Sequence, residues 1–181
     1  MNGKTIIVAL SVALAAPAGA LVRLGAGVDL GFALPAAQFD NEAKSAPAAS
    51  VRLYGNLFHW LTAEAGADVD LTHGAESKTG FGETRLSAYK AGLVYKIDMG
   101  VFKPFLAGGW ASFQEKIKYE EGWRRVTGQG FYLGPGLEYY ISERLAALGM
   151  MGYNRAFDAA RQGGRDTQLV RLDFGLDYYF W

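Results

Sequence analysis

The chain of 181 residues has two histidines and no cysteine, so nucleophilic or metal-bound chemistry has few places to begin. His73, Glu76 and Ser77 form the one grouping in which a base, an acid and a hydroxyl stand close in sequence. Acyl transfer needs a nucleophile, a base and an orienting acid within hydrogen-bond reach of one another, and these residues lie in a polar, glycine-bearing stretch that matches no motif for holding them so. His59 stands between Phe58 and Trp60 at a tight reversal, where a place among interfacial rings is the expected role. Two isolated histidines and scattered acids offer no metal-ligand spacing. The lack of cysteine excludes disulfides, thiolate metal sites and a lipidated N-terminal cysteine. The sequence therefore predicts no catalytic residue, no metal site and no cofactor.

The remaining polar chemistry is charge, and it recurs at every second residue. Along Leu169 to Trp181, Val170, Leu172, Phe174, Leu176, Tyr178 and Phe180 alternate with Arg171, Asp173, Gly175 and Asp177, the period of a strand and not of a helix. Val22, Leu24, Ala26, Val28, Leu30 and Phe32 alternate in the same way with Arg23, Gly25, Gly27, Asp29 and Gly31. A second strand, about Ser50 to Phe58, sets Arg52 opposite Val51 and Leu53, and a third, from Leu61 to Leu71, sets Glu64, Asp68 and Asp70 opposite Ala63, Ala67 and Val69. A fourth, about Glu83 to Ile97, places Lys90 and Lys96 opposite Tyr89, Leu93 and Tyr95. The fifth leaves Asp98-Met99-Gly100 and runs past Trp110 to Tyr119; its facing is ambiguous, with Pro104 and Gly108-Gly109 as candidates for a bulge or kink. After a turn at Glu120-Glu121-Gly122, a sixth strand from Arg124 to Ile141 puts Glu138 opposite Leu137 and Tyr139. The seventh, about Arg144 to Phe157, is rich in Ala, Leu, Met and Gly, and its faces are not assignable.

Residues 1–20 read as a cleaved secretory signal peptide: Lys4 is its charge, Thr5 to Ala16 its apolar run, and Ala18-Gly19-Ala20 its small-residue exit. That run is too short to span a bilayer as a helix. Residues 21–181 then form one domain. Basic and acidic side chains number 18 each, which removes any electrostatic case for nucleic acid. Glycine at 24 residues with aromatics at 14% suits tightly curved sheet with rings gathered at interfaces.

Long and tight connections alternate along the eight strands. The first, third, fifth and seventh are the longer ones, with Pro35 and Pro47 as breakers in the first, and the second, fourth and sixth are tight. An up-and-down barrel with its two ends on opposite sides of a membrane produces this pattern, and a β-sandwich has no reason to. Phe58, Trp60, Tyr95, Phe102, Tyr139, Tyr140, Tyr178, Tyr179, Phe180 and Trp181 lie beside the tight turns or at the C-terminus. Phe32, Trp110, Phe113, Phe131, Tyr153 and Phe157 lie toward the long loops, so two aromatic belts are expected at two membrane interfaces. With the apolar row toward lipid, Arg23, Asp29, Arg52, Glu64, Asp68, Asp70, Lys90, Lys96, Glu138, Arg171, Asp173 and Asp177 share a lumen just wide enough for side chains to fill, as a near-balanced ion-pair network. The hairpin from Ser112 to Gly128 outruns the ~9–11 residues that a membrane strand needs, and Ile117, Tyr119 and Trp123 near its tip are the candidate contact for an extracellular protein or surface ligand.

In signal, strand count, loop alternation and C-terminus, the mature chain resembles the small outer-membrane barrels of Gram-negative bacteria, the OmpA transmembrane domain and OmpX type. The resemblance implies an all-β, eight-stranded antiparallel up-and-down transmembrane barrel in the outer membrane. It implies Sec export, periplasmic chaperones and barrel-assembly machinery as partners, with outer-membrane lipid and lipopolysaccharide around the finished barrel. It also implies an assembly signal at Tyr178, Tyr179, Phe180 and Trp181, although the apolar row of this strand leads to Phe180 while Asp173 and Asp177 share the parity of Trp181. The expected function is non-enzymatic, in envelope integrity or in surface interaction through long loops. The alternatives are a lipid A-modifying enzyme built on His73, or a narrow channel.

Overall fold

Period-two patterning of this kind satisfies backbone hydrogen bonds without an exposed edge only if the sheet closes on itself. In the computed structural model, which describes residues 23–36, 45–73, 83–119, 122–157 and 167–180, it does so. The strands are β1 (Leu24–Pro35), β2 (Ala46–Phe58), β3 (Leu61–His73), β4 (Glu83–Lys96), β5 (Phe102–Tyr119), β6 (Gly122–Tyr140), β7 (Leu145–Ala156) and β8 (Gln168–Tyr179). Each pairs antiparallel with its sequence neighbour, and β1 pairs with β8 to complete a closed eight-stranded barrel. The predicted signal segment lies outside the described residues.

The tight reversals at 59–60, 97–101 and 141–144 share one end of the barrel, and Gly100 takes a positive φ of 77° in the second of them. At the opposite end the connections are 36–45, 74–82, 120–121 and 157–167. The fifth connection, expected to be long, joins Tyr119 directly to Gly122 across its two residues, and the length resides in the strands instead. β5 has 18 residues and β6 has 19, against 12 in β1, β7 and β8, so this hairpin rises as a ribbon above β7, while on its other side β4 stays paired with β5 up to Thr84↔Ile117.

Burial alternates as the sequence period demands, but inverted from a soluble protein. Leu30 is 72% exposed and Phe174 is 68% exposed, while Asp29 and Asp173 beside them are buried. The outer wall is an apolar surface, and lipid is the solvent that accepts it. Its short-turn end carries Phe58, Trp60, Tyr95, Phe102, Tyr139, Tyr178 and Phe180, with Phe58 stacked on Trp60 and Phe102 packed on Tyr139. Its upper end carries Phe32, Trp110, Phe131, Tyr153 and Phe157. Three rings expected in these belts turn inward: Phe113, Tyr140 and Tyr179 are in the lumen.

The faces of β5 and β7 are regular. Phe105, Ala107, Ala111 and Phe113 point inward while Leu106 and Trp110 point outward, and the ladder to β4 runs unbroken through Leu93↔Gly108 and Gly92↔Gly109, so no bulge occurs at Pro104 or the glycine pair. In β7, Ala146, Leu148, Asn154 and Ala156 face in and Met151 faces out. Pro47, expected to break the chain in a loop, stands inside β2 opposite Phe32. It precedes the first β2–β3 pair, Ala48↔Asp70, so a missing N–H on that side leaves no hole in a ladder. Among the described residues, the one register shift lies at Asn56–Phe58, where β2 tightens into its turn.

Candidate functional site

The lumen has two unlike walls. Strands β4 to β7 line it with Leu86, Val94, Phe105, Phe113, Leu148 and alanines, whereas β1, β2, β3 and β8 bring in most of the charges. Of the twelve charged residues predicted there, five are cations and seven are acids. Glu115, which the sequence reading did not place inside, is a further buried acid, so the lumen carries an acid excess and not a near balance.

Two arginines organise the charges. In the upper part Arg171, 1% exposed, sits with Nη1 at 2.7 Å from Asp68 and 3.1 Å from Asp70, and with Nη2 at 2.9 Å from Asp173. The two Nη1 contacts are ionic by distance without hydrogen-bond alignment. Lys90 forms an ion pair with Asp68 and lies 5.2 Å from the Tyr132 ring. Lower down, Arg52 donates from Nε and Nη2 to the two oxygens of Asp29 at 2.9 and 3.0 Å, and from Nη2 to Asp177 at 2.9 Å. This fork-on-carboxylate geometry is available to arginine and not to lysine. Ser50 adds a hydroxyl bond to Asp29 at 2.7 Å, and Tyr132 donates to Glu64 at 2.6 Å.

The short-turn end is closed by rings. Lys96 reaches Glu138 at 2.6 Å and the Tyr179 hydroxyl at 3.0 Å, and that hydroxyl donates to the other Glu138 oxygen at 3.1 Å. Tyr54 and Tyr140 pack on Tyr179 at ring separations of 5.2 and 5.5 Å. Arg23 covers this group from outside, 5.2 Å above the Tyr179 ring, and donates to the Glu143 carbonyl. Tyr54 and Tyr132 were not among the charged residues expected to form the network, but both stand on the charged face of their strands, where parity with Arg52 and Glu138 places them.

Glycines make the room for these contacts. A Cβ on Gly27 would strike the Asp177 carboxylate, and one on Gly92 would strike the Gly108 carbonyl and the Tyr132 hydroxyl. In so narrow a barrel, every large lumen side chain needs a small one facing it.

The remaining candidates separate. Tyr178 and Phe180 face lipid at the base of β8, Tyr179 faces the lumen, and Trp181 lies outside the described residues. At the ribbon tip, Ile117 pairs in register with Arg124, and Tyr119 with Gly122. Trp123 is exposed, with the Arg85 guanidinium 5.5 Å above its ring. His73 ends β3, and Glu76 and Ser77 lie outside the described residues. His59 is exposed in the β2–β3 turn. Among the described residues there is no cluster of side chains suited to a metal ion, and no helix is long and apolar enough to cross a membrane.

The model of the outer membrane protein β-barrel domain family matches residues 5–180. The chain belongs to this family. Three solved outer-membrane barrels share its fold. Neisserial surface protein A, from Neisseria, superposes with a TM-score of 0.68 at 12% identity, over 87% of this chain and 97% of its own. Outer membrane protein OprG of Pseudomonas aeruginosa gives 0.60 at 12% identity, over 87% and 96%. Ail, the attachment invasion locus protein of Yersinia pestis, gives 0.55 at 11% identity, over 86% and 98%. No curated protein sequence matches the chain. At such identities the superpositions carry the fold alone, while the family membership makes the exposed apolar wall the membrane-facing surface of an outer-membrane barrel.

Proposed function

We propose that the protein is a non-enzymatic barrel of a Gram-negative outer membrane, whose filled lumen is a rigid scaffold and whose β5–β6 ribbon is the element that meets the outside. The observation that carries this reading is the ribbon's length. A tilted membrane strand needs ~9–11 residues, and β5 and β6 have 18 and 19. Among the described residues no strand other than β5 pairs with β6 over 122–128, so the edge of β6 away from β5 presents backbone donors and acceptors for an added strand, with Trp123 beside it as an anchor. Ail, which shares the fold, is named for attachment and invasion, and surface contact is the corresponding role here. The lumen supports the scaffold half of the proposal, because Arg52 and Arg171 each stand in ion pairs with two or more carboxylates and the base is filled by Tyr54, Tyr140 and Tyr179.

The test replaces Lys118 to Trp123 by Asn-Gly, which closes the hairpin at the Ile117↔Arg124 pair and leaves the barrel intact. Cells displaying the trimmed barrel should lose adhesion to cultured epithelial cells, or survival in serum, relative to cells displaying the full chain. Unchanged behaviour in both assays overturns the role given to the ribbon.

A further inference from the structure

β1 and β8 are the one pair of neighbouring strands in the barrel that no connection joins. Every other pair is kept close by its turn or loop, so the ladder at this seam has the least covalent help. Side chains of the two strands add little. The lumen-facing pairs are Gly25↔Tyr179, Gly27↔Asp177, Asp29↔Gly175 and Gly31↔Asp173, so four in succession contain a glycine and lack the directly opposed side chains that stabilise a sheet. The outward pairs, such as Val28↔Leu176 and Leu30↔Phe174, are apolar, and lipid tails offer them contacts as good as each other's.

What spans the seam comes from β2, one strand further away. Arg52 stands opposite Gly27, and Tyr54 opposite Gly25. Both side chains pass over β1 at these glycines: a Cβ on Gly25 would strike the Tyr54 ring, and one on Gly27 would lie 3.3 Å from Arg52 Nη2. Beyond them, Arg52 Nη2 holds Asp29 on β1 at 3.0 Å and Asp177 on β8 at 2.9 Å. The Tyr54 hydroxyl lies between the carbonyls of Ala26 on β1 and Tyr178 on β8, at 3.3 and 3.4 Å. Ser50 fixes Asp29 from the same strand. From this arrangement we infer that the β1–β8 seam is the line along which the folded barrel opens first, and that Arg52 and Tyr54 form a strap across β1 that holds it shut. The glycines act in two opposite ways, since they strip the seam of its own side-chain pairs and clear the track for the strap. The device goes beyond the scaffold and contact roles proposed above, because it assigns closure of the seam to two side chains of a strand outside it.

The test is residue-resolved amide hydrogen exchange, read by NMR on the barrel in phosphatidylcholine nanodiscs. Wild type is compared with Y54F, with R52M/D29N/D177N, which removes the strap without stranding a charge, and with Y132F, which loses a lumen hydroxyl bond to Glu64 away from the seam. In wild type, interior amides bonded across β1–β8 should exchange together, and faster than those bonded across β4–β5, as a unit that opens below the global unfolding free energy. A hydrogen bond to a charged group is worth about 10- to 100-fold in such an equilibrium and a neutral one about 2- to 10-fold. The triple variant should speed the seam amides by the first factor and Y54F by the second, while amides across β4–β5 keep their wild-type rates. Y132F should leave the seam unchanged. A uniform rise in every strand overturns the inference, since Arg52 and Tyr54 would then hold the whole barrel and not the seam. So does a wild-type seam as slow as β4–β5, or a Y132F barrel whose seam exchanges as fast as that of Y54F. The two single variants decide the matter if the triple variant does not fold.

Discussion

Arg171→Met removes the cation on which the upper lumen is built. The guanidinium lies 2.7 Å from Asp68, 3.1 Å from Asp70 and 2.9 Å from Asp173, and its side chain is 1% exposed. Without it, Lys90 still answers Asp68, but Asp70 and Asp173 are left as buried carboxylates without their cation. Removing one partner of a buried ion pair costs about 3–5 kcal/mol, most of it the stranded charge. The variant R171M/D70N/D173N takes away the two stranded charges and leaves Lys90 and Asp68 as a neutral pair, so it should recover most of the loss. R171K keeps the charge but not the fork and should fall between wild type and R171M. Reversible urea unfolding in lipid bilayers, followed by tryptophan fluorescence, reads all four proteins. If R171M costs less than about 1 kcal/mol, the scale of a solvated pair, or if the triple variant is no more stable than R171M, the lumen network does not hold the barrel as described.

Two further outcomes follow from the packing. Tyr179→Ala should cost about 3–5 kcal/mol, as for other large aromatics cut from a filled interior, whereas Phe180→Ala, facing lipid at 47% exposure, should cost clearly less; the same unfolding titration compares them. Gly92→Val should lower the unfolding free energy by about 1–3 kcal/mol, read as a lower urea midpoint at unchanged slope, because its side chain presses on the Gly108 carbonyl and on the Tyr132 hydroxyl and breaks the 2.6 Å bond to Glu64.

The outer surface was legible in the sequence wherever the two faces of a strand differ in chemistry. In β8, Leu172, Phe174 and Leu176 against Arg171, Asp173 and Asp177 left one assignment, and the structure has it. β5 and β7 were not legible because their lumen sides are also apolar. Phe105 and Phe113 inside and Leu106 and Trp110 outside carry no contrast, and neither do Leu148 inside and Met151 outside. A barrel that concentrates its charges on β1, β2, β3 and β8 erases the period from the opposite wall. Tyr179 was misplaced for a related reason. Its parity with Asp177 puts it in the lumen, yet a tyrosine near a membrane edge suits the interfacial belt equally well, and the hydroxyl partner that decides between them, Glu138, comes from another strand. The extra length of β5 and β6 was legible as well, since the alternation runs to Tyr119 and resumes at Arg124 across Glu120-Glu121-Gly122, and the structure pairs the two strands from Tyr119↔Gly122 down. Gly122, with φ of 130°, supplies the turn conformation that lets pairing continue to the tip.

Ion current through the intact barrel tests the central claim, a membrane-spanning scaffold with a sealed lumen, most directly. The protein is inserted into planar bilayers, and insertion is confirmed by protease cleavage confined to the ribbon side. Arg52 and Arg171 locked to their carboxylates, with Tyr179, Tyr54 and Tyr140 across the base, predict no unitary conductance above the bare membrane. Discrete current steps from the correctly inserted wild-type chain would contradict the account.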